Sequence, residues 1–90
     1  MRIEETRTFT MVLNEAEFEL LHSICASAGY GYRVDNDEYI ITMDKDMLDD
    51  IEYFLEREQS HQLYDECNRF AAEEIGDLLD SIYYEMNYNL

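Results

Sequence analysis

Apolar and polar positions alternate in "RTFTMVL", residues 7–13. Phe9, Met11 and Leu13 fall on one side, Thr8 and Thr10 on the other. A period of two predicts a half-buried strand. The period changes in "NEAEFELLHSICASAG", where Phe18, Leu21, Cys25 and Ala28 recur at helical spacing and Leu20 and Ile24 widen the face. Asn14 is a candidate N-cap, Glu17 completes a capping box, and Gly29 is placed to end the helix. Alternation returns in "YGYRVDNDEYIITM". Tyr32 and Val34 lead into a polar turn at Asp35, Asn36 and Asp37, and Tyr39, Ile41 and Met43 lead out of it. Asp and Asn tolerate the left-handed backbone of such turns, so the stretch predicts a hairpin.

Asp44 or Asp46 then caps a second helix, whose stripe is Leu48, Ile51 and Leu55 with Met47 and Phe54 beside it. The polar run "EREQSHQ" predicts a break or bend near Ser60. A last helix over 61–87 carries Leu63, Cys67, Ala71, Ile75, Leu78 and Ile82. It would be about 40 Å long. Gly76 inside it costs about 1 kcal/mol relative to Ala and marks a place for a kink. The predicted order is β-α-β-β-α-α: a three-stranded antiparallel sheet with three helices packed on one face, an α+β fold.

Composition adds two constraints. The chain has 90 residues, no Pro, no linker-like stretch and no internal repeat, which predicts a single domain over 1–90. Its 47% hydrophobic content argues against disorder, although a chain this short buries only about 60% of its unfolded surface. The net charge of −16, from 22 acids against 6 Lys and Arg, changes the picture more. It disfavours direct binding to nucleic acid or an anionic membrane and points to a basic protein surface or cations. Residues 44–85 hold fourteen acids against Lys45, Arg57 and Arg69, so the charge is concentrated in the C-terminal half.

On one helix, Glu66, Glu73, Asp77 and Asp80 would fall in a single stripe, being 7, 4 and 3 residues apart. Asp49, Glu52 and Glu56 add acids on the preceding helix. The plain alternative is a solvated face, since like charges at i,i+4 cost only a few tenths of a kcal/mol. Against it stand the scarcity of Lys and Arg and the rise of about 5.4 Å per helical turn, which spaces carboxylates on the scale of backbone phosphates. Tyr83, Tyr84 and Tyr88 cluster near the C-terminus. Either they pack back on the sheet or they serve an interface, where Tyr is enriched; Tyr84 is the candidate anchor.

A short, Pro-free, strongly acidic α+β chain with carboxylate-striped helices resembles the phage-encoded inhibitors that mimic nucleic acid, of the anti-CRISPR and anti-restriction type. The resemblance lies in overall character. It implies binding to the basic groove of a nucleic-acid-handling protein, without catalysis. A second, local resemblance is carried by "NEAEFELLHSIC", residues 14–25. This stretch is similar to part of the first helix of colicin DNase immunity proteins, which are also small and acidic. Those proteins are all-helical, whereas strands are predicted here. Their Tyr-Tyr motif is followed by Pro, whereas Tyr83-Tyr84 is followed by Glu85.

Other chemistry finds little support. His22 and Cys25, or His61 and Cys67, lack zinc-finger spacing, and both Cys fall on predicted apolar stripes, so core cysteines are expected and no metal or cofactor. "DNDEYIITMDKD" lacks the central Gly and terminal Glu of an EF-hand loop. Two Cys make no disulfide framework. "MRIEETRTFT" lacks the apolar core of a signal peptide and no apolar run approaches a membrane span, so a cytoplasmic protein is expected. The sequence therefore supports a non-enzymatic acidic inhibitor whose contacts are Asp49, Glu52, Glu56, Glu66, Glu73, Asp77, Asp80 and Tyr84. The alternative is a small adaptor or immunity-like module whose acidity serves solubility. Leu79, Tyr83 and Met86 would then be spare apolar residues for a homodimer.

Overall fold

A computed structural model describes residues 2–5 and 8–89. Four antiparallel strands form one sheet in the order β1-β2-β4-β3, from β1 (Arg2–Glu5), β2 (Phe9–Leu13), β3 (Tyr32–Asp35) and β4 (Glu38–Met43). Helices α1 (Glu15–Cys25), α2 (Lys45–Ser60) and α3 (Arg69–Asn89) cover one face. The class is α+β as expected, but the sheet has four strands, and the element order is β-β-α-β-β-α-α. The missed strand is "RIEE", which pairs with β2 in the register Ile3↔Met11 and Glu5↔Phe9. Ile3 is its one large apolar residue and is almost fully buried in the core.

The alternation in β2 and β4 sets the inner face. Ile3, Met11, Ile41 and Tyr32 form one row across the sheet, and Phe9 and Met43 pair in the next. All but Tyr32 are buried. Against them pack Phe18, Leu21 and Cys25 from α1, Leu48, Ile51 and Leu55 from α2, and Ile75, Leu78, Leu79 and Ile82 from α3. Each such side chain contributes roughly 1.5–3 kcal/mol when fully buried. Leu79 is therefore spent in the core and is not spare. Met86 lies where side chains are not described.

Local signals explain the helix starts. Asn14 Oδ1 accepts from the Glu17 backbone N–H at 2.8 Å, and the Asn14 N–H donates to Glu17 Oε1 at 3.0 Å, a complete capping box. Asp44, not Asp46, caps α2 and accepts from Met47 N–H at 2.8 Å. After α1 the chain makes one 3₁₀ turn and closes at Gly29, whose φ of 84° only glycine adopts freely. The hairpin turn is the two residues Asn36 and Asp37, with φ of 51° and 64°. Asp35 belongs to β3 and pairs with Glu38.

The long last helix of the sequence reading divides in two. The chain does not break near Ser60; α2 runs through it into a π-helical turn over His61–Asp65. The reversal comes at Cys67, with φ of 54°. Backbone bonds from Asn68 to Gln62 O (2.7 Å) and from Glu66 to His61 O (3.0 Å) hold it. Asn68 Oδ1 then accepts from Ala71 N–H and starts α3. Cys67 is exposed, not a core residue, whereas Cys25 is buried as expected. Gly76 does not interrupt α3, which runs through it. It is a close approach: a Cβ there would lie 2.7 Å from the Gln59 side-chain nitrogen, which donates to Ala72 O.

Candidate protein-binding surface

Helices α2 and α3 run antiparallel. Gln59 meets Ala72, while Glu56, nearer the start of α2, meets Tyr83. The buried residues of α3 define its inner side. The side facing away carries Phe70, Glu73, Asp77, Asp80 and Tyr84, at alternating spacings of three and four. All five are exposed, Phe70 at 71% and Tyr84 at 64%. Three carboxylates thus occupy the middle of one helix face, with an aromatic ring one turn before and one turn after. From Glu73 to Asp80 the rise is about 10.5 Å. Among the described residues, no Lys, Arg or His lies within ion-pair distance of these three carboxylates.

Two shallow hollows flank the row. Glu17, Glu74 and Asp77 rim an open groove of about 270 Å³ between α1 and α3, floored by Leu20 and Leu78. Asp80, Tyr84 and Glu85 line a second of about 320 Å³.

The acids of α2 are placed differently. Asp49 pairs with Lys45 at 3.0 Å. Glu56 accepts a short hydrogen bond from the Tyr83 hydroxyl. That bond, with burial and the neighbouring Glu52 and Asp80, pushes the Tyr83 hydroxyl up to about 12. Glu52 is half-buried, and its carboxyl is raised chiefly by burial; Asp49 and Glu56 raise it further and Lys45 opposes them. Glu52, Glu56, Tyr83 and Asp80 therefore join the α2 ridge to the outer face of α3.

Glu66 is not on this surface. It sits in the connection before α3, where His61 Nε2 approaches Glu66 Oε1 at 3.3 Å and His61 Nδ1 approaches Asp65 Oδ2 at 3.0 Å. The Asp65 hydrogen bond is the main cause of a raised His61 pKa. Of the eight sequence candidates, the structure brings Glu73, Asp77, Asp80 and Tyr84 into one row and sets Asp49, Glu52 and Glu56 beside it. Phe70 completes the row. Its signal was present in the sequence as an aromatic three residues before Glu73, in step with the carboxylate row.

His22 lies in an aromatic cluster, with its Nδ1 2.9 Å from the Tyr30 hydroxyl and its ring against Phe18. Among the described residues no group of three or more His, Cys, Asp or Glu side chains is arranged to hold a metal ion. Nor is any helix among them long and apolar enough to cross a membrane. No family model, no curated protein and no solved structure matches the chain.

Proposed function

We propose that the protein is a non-enzymatic inhibitor that docks the outer face of α3 onto the basic groove of a nucleic-acid-binding protein and excludes the nucleic acid. One observation carries the reading: three exposed carboxylates follow one another along α3, bracketed by exposed Phe70 and Tyr84. A groove that binds a nucleic-acid strand offers Lys and Arg for phosphates and flat groups for bases. Carboxylates on successive turns answer the first, and the two rings answer Arg guanidinium planes. Glu73, Asp77, Asp80 and Tyr84 are the principal contacts, Phe70 joins them, and Asp49, Glu52 and Glu56 extend the negative field.

The test is capture from a cell lysate with the tagged protein, washed at low and high salt and with added DNA or RNA. Recovery of a nucleic-acid-binding protein, released by salt and displaced by nucleic acid, supports the reading. Glu73→Lys/Asp77→Lys/Asp80→Lys should lose that capture with the fold retained. A partner without a nucleic-acid role, held at high salt, favours the adaptor reading instead.

A further inference from the structure

The two edges of the sheet differ. At one edge, α3 packs against β1. At the other, all four residues of β3 are exposed, with Tyr32 at 49% and Val34 at 58%. The two-residue turn fixes which backbone groups of β3 are used. Asp35 and Glu38 flank the turn and form a hydrogen-bonded pair, so Asp35 and Arg33 direct their N–H and C=O groups into β4. Tyr32 and Val34 direct theirs to the open edge. Such an edge is a template for another strand.

The side chains of β3 are self-complementary about Val34. Arg33 and Asp35 flank it, on the sheet face turned away from the helices, and already approach each other at 4.0 Å. In an antiparallel pair centred on Val34, residue numbers facing each other sum to a constant. Arg33 then meets Asp35, Asp35 meets Arg33, and Val34 meets itself. The axis would fall on a residue whose N–H and C=O point outward, so both central hydrogen bonds form. On the helix side, Val34 and the ring cluster of Tyr32, Phe18 and His22 would be covered.

We propose that two copies of the chain associate through β3, antiparallel and centred on Val34, so that Arg33 of one protomer lies opposite the partner's Asp35 and the two sheets become one of eight strands. The charge pairs are exposed and set the register more than the affinity. Affinity comes from Val34, Tyr32 and the two central backbone bonds. The interface is small, so the dimer is weak. Two bodies of net charge −16 also repel. Added salt screens that repulsion, so the dimer strengthens with salt. Docking of α3 on a basic partner weakens with salt, so the two readings fail separately.

Sedimentation equilibrium of the full chain tests this. In about 1 M salt, where the Debye length is about 3 Å, the wild type should dimerise with a Kd of about 0.1 mM. Arg33→Asp places like charges opposite each other twice and should raise Kd about threefold, the salt screening most of the repulsion. Arg33→Asp/Asp35→Arg restores the pairing and the net charge and should return Kd to the wild-type value. Arg57→Asp makes the same charge change on α2 and should leave Kd unchanged. Hydrogen exchange provides a register-specific readout: the Val34 amide should become protected only as the dimer forms. A wild type that stays monomeric at about 1 mM, an Arg57→Asp effect equal to that of Arg33→Asp, failure of the double swap to restore Kd, or an unprotected Val34 amide in the dimer would overturn the proposal.

Discussion

Helices α2 and α3 lie side by side and are both acidic, yet their charges are available to different degrees. On α2, Lys45 holds Asp49, Tyr83 holds Glu56, and Glu52 is half-buried among its neighbours. On α3, Arg69 is the sole cation, at the first position, and Glu73, Asp77 and Asp80 face outward together. The carboxylates named on α2 thus have a neighbour held against them or are half-buried, whereas the three on α3 are exposed with no cation within ion-pair distance among the described residues. Net charge alone does not distinguish the two; the placement of partners around each carboxylate does.

The sharpest way to break this contrast is to reverse three charges on each helix in turn. Glu73→Lys/Asp77→Lys/Asp80→Lys should weaken the captured complex about a hundredfold, at roughly 1 kcal/mol per reversed charge. Asp49→Lys/Glu52→Lys/Glu56→Lys should cost about tenfold, because those charges act from the side. Equal losses measured by titration calorimetry would mean the two helices are not distinct. Removing the rings comes next. Phe70→Ser and Tyr84→Ser should each lower affinity about threefold, on the scale of an exposed cation–π contact, with urea midpoints unchanged because both rings are solvent-exposed.

A smaller effect separates stability from binding at Glu52. Its carboxyl is raised by burial, so ionising it costs folding energy. The associated stability is present at acid pH and is lost as pH rises through the raised pKa. Glu52→Gln should therefore stabilise the fold at neutral pH by a few tenths of a kcal/mol, discounted for its partial exposure. The gain should vanish below about pH 4.3, the ordinary Glu value. Urea unfolding at the two pH values reads it. The smallest effect is at the connection between the helices. His61 should titrate above about 6.5 by NMR, and Asp65→Asn should return it toward that value. The stabilisation linked to protonated His61 is present below about 6.5 and fades as pH rises through its folded pKa.

Much of this arrangement was legible where a residue type has one strong local use. Asn14 with Glu17 marked one helix start, Asp44 or Asp46 bracketed the next, and the alternation of β2 and β4 named their inner faces. Leu48, Ile51 and Leu55 gave the stripe of α2. β1 was hidden because a four-residue strand with one apolar side chain carries no period, and its identity comes from its pairing with β2. The Cys67 break was hidden for the opposite reason. Cys67, Ala71, Ile75 and Leu78 satisfy helical spacing, and no Gly or Pro warns that the chain turns left-handed there. That false continuity carried Glu66 onto the acidic row and kept Phe70 off it. The row on α3 itself was half legible, because helical spacing groups carboxylates but does not say which have cations or hydroxyls folded against them.

The left-handed turn at Cys67 also makes the molecule easy to label. Thiolates, not thiols, react with maleimides. Cys25 is buried, and burial pushes its thiol up to about 12, so at neutral pH it stays protonated and shielded. Cys67 sits outside, two residues before α3 begins. The unaltered chain therefore takes a single dye or spin label at the foot of α3, three residues before Phe70 and six before Glu73, where it can report when that helix meets a partner.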